Sequence, residues 1–182
     1  RSSDLVSMVQ LREKESSTRE FVERAIRLKE VLTPYGVPLI INDRVDVALA
    51  ANADGVHVGQ SDMPYEMVKR LLPEGKIIGL SVESPEQVLE ANNYDLDYVA
   101  ASPVFSTTTK TNTIVEWGLD GLRWIRSVSR HPLVAIGGIH SNNVASICKA
   151  GADSVAVISA IVSADDPERA ARELLEKSGE PH

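Results

Sequence analysis

Residues 38–62 have the sequence PLIINDRVDVALAANADGVHVGQSD. Two short runs within it, 38–41 and 55–58, are largely apolar on both faces and are bounded by Gly, Pro, Asn or Asp. Runs of this kind are typical of parallel strands that are covered on both sides. The segment between them, 44–52, has a helical pattern. The stretch therefore predicts one strand–helix–strand unit.

The same alternation continues in both directions along the chain. Five further strands are predicted at 6–11, 76–80, 97–100, 133–136 and 154–158. Six further helices are predicted at 18–32, 64–72, 85–92, 119–128, 141–150 and 167–177. Pro64, Pro85 and Pro167 stand where the first turn of a helix tolerates proline.

Strict alternation of strands and helices indicates a parallel sheet, either open or closed into a barrel. No glycine-rich dinucleotide fingerprint follows the first strand, and polar residues follow many different strands, as the active face of a barrel requires. The predicted fold is α/β, a (β/α)8 TIM barrel that forms a single domain over residues 1–182. Because only seven strands are counted, we expect that the first βα unit is absent from the given sequence and that the domain is N-terminally incomplete.

The composition excludes several classes of function. The net charge is −7, and acidic residues interrupt the Lys and Arg clusters, whereas nucleic-acid binders usually carry a concentrated basic face. No signal peptide is visible, and no apolar run approaches the roughly 20 residues of a membrane span. The single cysteine, Cys148, is expected to be a buried thiol and fits a cytoplasmic protein. The expected partners are small-molecule substrates rather than nucleic acid or membrane, and a homo-oligomer stays open.

Cationic residues follow the first strand. Gln10, Arg12 and Lys14 alternate in sequence, so in an extended segment they share one face. Charged side chains that point into the mouth of a barrel are costly unless an anion binds there. The alternative is a solvated loop with scattered charges.

Two carboxylates follow the next two strands, Asp43 after the second and Asp62 after the third. Mg²⁺ prefers one or two carboxylates together with phosphate oxygens and water, so the pair suggests a magnesium ion that bridges a diphosphate. Since each precedes a helix, the alternative is that both are helix N-caps. Asp46 is a weaker candidate ligand, because it falls inside the predicted helix.

Later strand ends carry phosphate-binding features. Thr107, Thr109 and Lys110 lie on a loop after the fifth strand, where hydroxyl and ammonium groups suit phosphate oxygens or where the loop is simply flexible. Gly137-Gly138 follows the sixth strand, and Ile158-Ser159 ends the seventh, which is where barrels often bind a phosphate through backbone amides. Ser81, at the end of the fourth strand, is a further candidate phosphate ligand.

The histidines and tryptophans are assigned mostly to structure. His57 is expected to be packed in the core, and His131, just before Pro132, is expected on the solvent side where a strand begins. His140 is interpreted as an exposed loop residue, with a supporting role near the site as the alternative. Trp117 and Trp124 are expected to pack helix onto sheet.

In this order the motifs are highly specific, and the chain from Val9 to about Leu175 resembles the thiamine-phosphate synthase family. The resemblance rests on the following segments: 9–14 (VQLREK), 41–48 (INDRVDVA), 55–62 (GVHVGQSD), 103–105 (PVF) with Thr107, Thr109 and Lys110, 135–139 (AIGGI) and 157–159 (VIS). Two local departures are Ser102, where the family usually has Gly, and Glu83, where a His is common.

The resemblance implies a reaction and a cofactor. The donor would be 4-amino-5-hydroxymethyl-2-methylpyrimidine diphosphate, the acceptor 4-methyl-5-(2-hydroxyethyl)thiazole phosphate and the cofactor Mg²⁺. Family members ionise the donor to a carbocation, which the thiazole nitrogen captures. By this resemblance the donor site comprises Gln10, Arg12, Lys14, Asn42, Ser81 and Lys110, of which Arg12, Lys14, Ser81 and Lys110 are predicted to be catalytic. Asp43 and Asp62 would hold Mg²⁺, and the thiazole phosphate would be held by Thr107, Thr109, Gly138, Ile158 and Ser159.

Three other functions stay open. One is a thiazole tautomerase of the same fold, which the presence of Gln60-Ser61-Asp62 and Thr109-Lys110 disfavours. The second is a non-catalytic regulator that binds a thiamine precursor. The third is a domain of a longer bifunctional enzyme of thiamine synthesis.

Overall fold

The structure is a computed structural model that describes residues 5–106 and 116–179. The chain divides into two compact units, 1–80 and 81–182, which are described one after the other. No helix of the described residues is both long enough and apolar enough to cross a bilayer.

The first unit alternates strands and helices. Strands β1 to β4 run parallel and pair in chain order, for example Gln10 with Ile40 and Ile40 with Gly55. Its elements are β1 (Val9–Leu11), α1 (Thr18–Leu32), a 3-10 turn (Thr33–Tyr35), β2 (Leu39–Asn42), α2 (Val45–Ala50), β3 (Gly55–Val58), α3 (Tyr65–Leu71) and β4 (Ile77–Val82), whose last two residues belong to the second unit. Leu39, Ile40 and Ile41 are fully buried, as expected for a strand covered on both faces.

Helix α1 begins at a capping box. The Ser17 hydroxyl accepts a hydrogen bond from the Glu20 backbone N–H, while the Glu20 carboxylate accepts one from the Ser17 N–H. Both interactions satisfy backbone donors that the first turn of a helix leaves unpaired. Phe21 and Ala25, four residues apart, are buried. The cap and this buried face fix the first two turns of the helix.

The second unit continues the alternation. Strands β5, β6 and β7 pair in parallel and in chain order, for example Ala100 with Val134 and Ala135 with Val155. Its elements are α4 (Pro85–Ala91), β5 (Tyr98–Ala101), α5 (Gly118–Val128), β6 (Leu133–Ile136), α6 (Val144–Lys149), β7 (Ser154–Ala156), α7 (Ser159–Val162) and α8 (Pro167–Ser178). Trp117 stacks on Trp124 with ring centroids 6.2 Å apart, and its indole donates to the Val82 carbonyl at 3.1 Å.

The same local arrangement, which we call the aspartate clamp, is seen in both units. Asp54, just before β3, accepts the Leu39 N–H at 2.7 Å, returns its own N–H to the Leu39 carbonyl at 2.8 Å, and pairs with Lys29 of α1 at 2.6 Å. Asp153, just before β7, does the same with Leu133, at 2.7 and 2.8 Å, and pairs with Arg126 of α5 at 2.8 Å. Each clamp ties the first residue of one strand to the residue that precedes the next strand.

The α/β class and the parallel alternation are confirmed, with seven strands among the described residues. His57 is buried and His140 exposed, as expected. The expectation for His131 was wrong, because it is 5% exposed and its ring nitrogens lie 3.1 and 2.9 Å from the Leu96 and Ala91 carbonyl oxygens. Cys148 is only partly buried.

Candidate active site

The described candidate residues of the first unit lie on β1, on the β1–α1 loop, and at the ends of β2 and β3. Gln10, Arg12 and Lys14 are all exposed, while Leu11 and Glu13 between them are partly buried. This is the two-residue alternation of an extended segment. The three polar side chains are thus exposed in alternation with their partly buried neighbours, while their predicted position in the mouth of a barrel stays a prediction.

Asp43 follows β2 in an unusual backbone conformation. Its φ is 64°, the left-handed region, which Asp tolerates better than most residues with a side chain. Its N–H donates to the His57 carbonyl at 2.8 Å, and Arg44, not Asp43, is the N-cap of α2. Asp43 therefore does not act as a helix cap.

Asp62 follows β3 and folds back on the end of that strand. Its carboxylate accepts the Gly59 N–H at 2.7 Å, and Pro64 is the N-cap of α3. The interpretation of Asp43 and Asp62 as helix N-caps is thus wrong for both residues. Their side chains are held at the carboxyl ends of two paired strands, β2 and β3.

The two carboxyl groups contact each other. Burial raises the pKa of Asp62, and its hydrogen bond with Asp43 raises it further, so Asp62 keeps a proton more readily than an ordinary Asp. Burial also raises the pKa of Asp43, but the hydrogen bond with Asp62 and the charges of Lys14 and Arg12 outweigh it and lower the pKa. The two pKa shifts have opposite directions, so of the two carboxyl groups Asp62 binds a proton more readily than Asp43.

Cationic groups complete this cluster. Lys14 forms an ion pair with Asp43, whose side chain is 19% exposed, whereas that of Lys14 is 50% exposed. Arg12 acts on Asp43 through its charge. Asn42, the last residue of β2, is partly buried. The cluster therefore offers two carboxyl groups and two cations at the end of one pair of strands.

The donor set fits magnesium. Mg²⁺ binds through one or two carboxylates and completes its six ligands with water and substrate phosphate. Two carboxyl groups that contact each other could both bind one divalent cation. No group of three or more His, Cys, Asp or Glu side chains in residues 5–106 and 116–179 is arranged to hold a metal, so a closed, all-protein site is not seen in that part of the chain.

Asp46 is not part of this donor set. Both of its carboxylate oxygens accept hydrogen bonds from Arg44, at 2.8 and 2.6 Å, and Arg44 also donates to the Thr18 hydroxyl at 3.0 Å. Arg44 therefore connects the loop after β2 to the first turn of α1. Sequence reasoning missed this tie, because it joins residues 26 positions apart.

In the second unit, Gly138 lies in a turn that only glycine fits. Its φ is 64°, and a Cβ would lie 2.8 Å from the Phe105 Cβ and 2.8 Å from the Ser106 carbonyl oxygen. Glycine has no Cβ and adopts positive φ without cost. The Asn143 side chain donates to the Gly138 carbonyl at 2.8 Å. The segment after β6 therefore packs closely on residues 105–106.

The other candidate residues of this unit differ in accessibility. Ile158 and Ser159 are exposed, at the start of the short helix α7. Ser81 is buried on β4, 7% exposed. Thr107, Thr109 and Lys110 lie outside the described residues. Sequence reasoning missed the four-residue helix α7, because it had extended β7 to residue 158.

The residues that fix the β1–α1 loop were also missed. Glu13 accepts a hydrogen bond from Arg24 of α1 at 2.5 Å and one from the Ser16 hydroxyl at 3.4 Å. The capping-box spacing of Ser17 and Glu20 marks the point where the loop ends and the helix begins, but it does not indicate the contacts of Glu13.

Comparison with known proteins gives one consistent result. A family model described as thiamine monophosphate synthase matches residues 2–161. The thiamine-phosphate synthase of Albidiferax ferrireducens is 53% identical over 169 residues, 93% of this chain and 77% of that protein. The solved structure of a thiamine phosphate pyrophosphorylase from Pyrococcus furiosus matches with a TM-score of 0.89 and 40% identity, over 97% of this chain and 86% of that one.

A more distant structure shares the fold alone. The 3-hexulose-6-phosphate synthase from Salmonella typhimurium matches with a TM-score of 0.77 at 24% identity, over 96% of this chain and 87% of that one. A fold does not by itself determine a reaction. The sequence matches at 40% identity and above are the ones that discriminate, and by them the chain belongs to the thiamine monophosphate synthase family.

Proposed function

We propose that this chain, a transferase of its family, moves the hydroxymethylpyrimidine group from its diphosphate to thiazole phosphate, giving thiamine phosphate and diphosphate. The observation that carries the proposal is the contact between the Asp43 and Asp62 carboxyl groups beside Lys14. A site for Mg²⁺ and diphosphate requires carboxylates and cations side by side. The names of the relatives match this chemistry.

Asp43 and Asp62 would hold Mg²⁺. When bound, Mg²⁺ supplies Lewis-acid neutralisation of the charge that develops on the departing diphosphate. Asp43 is positioned for this role by its hydrogen bond to the His57 carbonyl and Asp62 by the Gly59 N–H. Both anchors are backbone groups of β3 or of the residue that follows it, so the two ligands are fixed relative to one strand.

Arg12, Lys14, Ser81 and Lys110 are proposed as the catalytic groups, because cations and donors on the diphosphate stabilise the leaving group. Lys14 already contacts the carboxylate that would hold the metal, so its ammonium is within reach of oxygens bound at that metal. Gln10 and Asn42 are proposed to bind the pyrimidine and its diphosphate. Gln10 is exposed on the same face as Arg12, which supports a common ligand.

Thr107, Thr109, Gly138, Ile158 and Ser159 are proposed to bind the thiazole phosphate. Gly138 has no side chain, so a phosphate can approach its backbone closely. The close packing of the turn on Phe105 and Ser106 holds that backbone in place. The exposure of Ile158 and Ser159 keeps their backbone accessible to a ligand.

We propose a dissociative mechanism. The bond between the pyrimidine methylene carbon and the diphosphate oxygen breaks, and both electrons leave with diphosphate. The lone pair of the thiazole nitrogen then forms the new carbon–nitrogen bond. No proton has to be removed from that nitrogen, so a general base is not required, and the role of the chain is to neutralise the leaving group and exclude water.

Two finer expectations stay proposals. The first is that the parallel α/β fold is a (β/α)8 barrel, which the alternation of seven strands with helices supports. The second is a cytoplasmic location, which the single cysteine supports.

The test is turnover with both substrates and Mg²⁺, followed as thiamine phosphate formation. The proposal predicts activity that is lost on chelation and in Asp62→Ala. Asp120→Ala is the matched control, because Asp120 lies on α5 with a side chain that is 99% exposed, and it should retain activity. Absence of turnover in a protein that still binds thiazole phosphate would refute the proposal and favour the tautomerase or the non-catalytic regulator.

A further inference from the structure

The β1–α1 loop, residues 12–17, presents Arg12 and Lys14 on a short exposed segment. Long cationic side chains on a loop lose conformational freedom when they bind an anion, and this loss weakens binding. An anion site on such a loop is therefore stronger if the loop is already held in its binding conformation. The contacts of Glu13 have this effect.

Glu13 ties the loop to helix α1. Its carboxylate accepts hydrogen bonds from Arg24 at 2.5 Å and from Ser16 at 3.4 Å. Arg24 stands beside Ala25, which is fully buried, and its helix begins at the capping box of Ser17. The partner of Glu13 is therefore a fixed part of the first unit.

Glu13 and Lys14 are turned toward different partners. Glu13 contacts Arg24 on α1, whereas Lys14 contacts Asp43 on the loop after β2. The Glu13–Arg24 pair therefore holds the backbone next to Lys14 against α1, while the Lys14 side chain is directed to the loop after β2. The Glu13 side chain is 23% exposed and that of Arg24 45% exposed, so the pair lies on the packed side of the loop.

The charge of Glu13 is unfavourable for the proposed ligand. A carboxylate one residue from Arg12 and from Lys14 repels a diphosphate, and Arg24 offsets that repulsion. A residue that acted only through its charge would therefore weaken diphosphate binding. The contacts of Glu13 predict the opposite.

We infer that Glu13, held by Arg24, is a positioning residue that orders Arg12 and Lys14 for diphosphate, an inference that rests on the proposed function. Removing Glu13 frees the loop, so diphosphate binding weakens although a negative charge is lost. The loss corresponds to ordering about one long side chain, which is roughly a 3- to 10-fold rise in Kd.

The experiment measures binding of inorganic pyrophosphate with Mg²⁺ by titration calorimetry on the full chain. Glu13→Ala, Arg24→Ala and the double variant are compared with the wild type, and the melting temperature of each is recorded. If Glu13 positions the loop through Arg24, pyrophosphate should bind more weakly to all three variants. The affinity of the double variant should be close to that of Glu13→Ala, because removing Arg24 has little further effect once Glu13 is gone. Charge alone predicts tighter binding in Glu13→Ala and wild-type affinity in the double variant.

Two readouts separate positioning from general destabilisation. The KM for the pyrimidine diphosphate should rise in Glu13→Ala, while the KM for thiazole phosphate stays unchanged. The matched control is Glu168→Ala, because Glu168 pairs with Arg172 on α8 at 3.2 Å and its removal changes the charge by the same amount. This control should leave pyrophosphate affinity unchanged.

Failure of the inference is distinct from failure of the proposed function. If the wild type binds pyrophosphate, Lys14→Ala does not, and Glu13→Ala binds as tightly as the wild type or tighter, then the positioning role is refuted and the diphosphate site stands. If the wild type itself has no affinity for pyrophosphate with Mg²⁺, both are refuted.

Discussion

Replacing Asp54 by alanine removes three interactions at the start of strand β2. The Asp54 carboxylate accepts the Leu39 N–H at 2.7 Å and the Lys29 ammonium at 2.7 and 2.6 Å. Leu39 is fully buried, so its N–H would lose its partner where water has little access. The alanine variant therefore tests the aspartate clamp of the first unit.

The magnitude follows from these contacts. A buried donor left without a partner costs about 1–3 kcal/mol. The ion pair adds at most about 0.2–1 kcal/mol, because its side chains are 25% and 30% exposed and solvent screens the charges. We therefore expect Asp54→Ala to lower the free energy of unfolding by about 1–4 kcal/mol.

Urea unfolding followed by circular dichroism measures this difference. Asp120→Ala is the control, because that side chain is 99% exposed, and it should leave the urea midpoint unchanged. A loss below about 0.5 kcal/mol in Asp54→Ala, the range of ordinary surface substitutions, would refute the reasoning. It would mean that water satisfies the Leu39 N–H as well as the carboxylate does.

The same clamp has a defined pH dependence. Burial raises the pKa of Asp54, but the hydrogen bonds from Lys29 and from the Leu39 N–H outweigh it and lower the pKa. A lowered pKa in the folded state gives stability that is complete above the unfolded value of about 3.9 and is lost as the pH falls through the folded value. The stability difference between the wild type and Asp54→Ala should therefore be constant near neutral pH and shrink below about pH 4.

Two further substitutions test other parts of the structure. Gly138→Ala should raise the KM for thiazole phosphate, since the new Cβ would meet Phe105 and Ser106 at 2.8 Å and displace the turn. Its control is Gly75→Ala, at φ 83° with no atom within 4 Å. In urea unfolding the control should show only the backbone cost of about 1–2 kcal/mol. His131→Leu should lower the free energy of unfolding by about 1–3 kcal/mol, because it removes an imidazole N–H that pairs with a buried carbonyl oxygen. The Ala91 carbonyl also accepts the Tyr94 N–H, so the Leu96 carbonyl is the group most affected. A loss under about 0.5 kcal/mol would refute a stabilising role for the imidazole.

The elements were largely predictable because their signals are local. Helix α1 was predicted with its observed bounds, since apolar positions recur at helical spacing from Thr18 to Leu32. Strands β3 and β6 were also predicted with their observed bounds, Gly55–Val58 and Leu133–Ile136, because Gly or Pro flanks each apolar run. The start of β7 at Ser154 was also predicted, but its carboxyl end was not, since Val157 and Ile158 continue the apolar run after the strand has ended at Ala156.

What failed depended on contacts between distant positions. His131 was expected at the surface from its neighbour Pro132, but its burial is determined by carbonyl groups 35 and 40 residues earlier. The N-cap alternative for Asp43 could not be decided from residue type, because Asp suits both a cap and the left-handed conformation that it adopts. The binding and catalytic roles assigned to the candidate residues stay predictions, and the binding experiments above test them.

The aspartate clamp has a consequence for how the native chain opens. Each unit contains its own copy, and each copy uses only residues of that unit. Native proteins open locally in cooperative segments whose free energies differ. Loss of the Asp54 clamp should therefore accelerate amide hydrogen exchange at β2 and β3 while the amides of β6 and β7, held by Asp153, keep their protection. The two clamps would then stabilise two segments of the chain that open locally with different free energies.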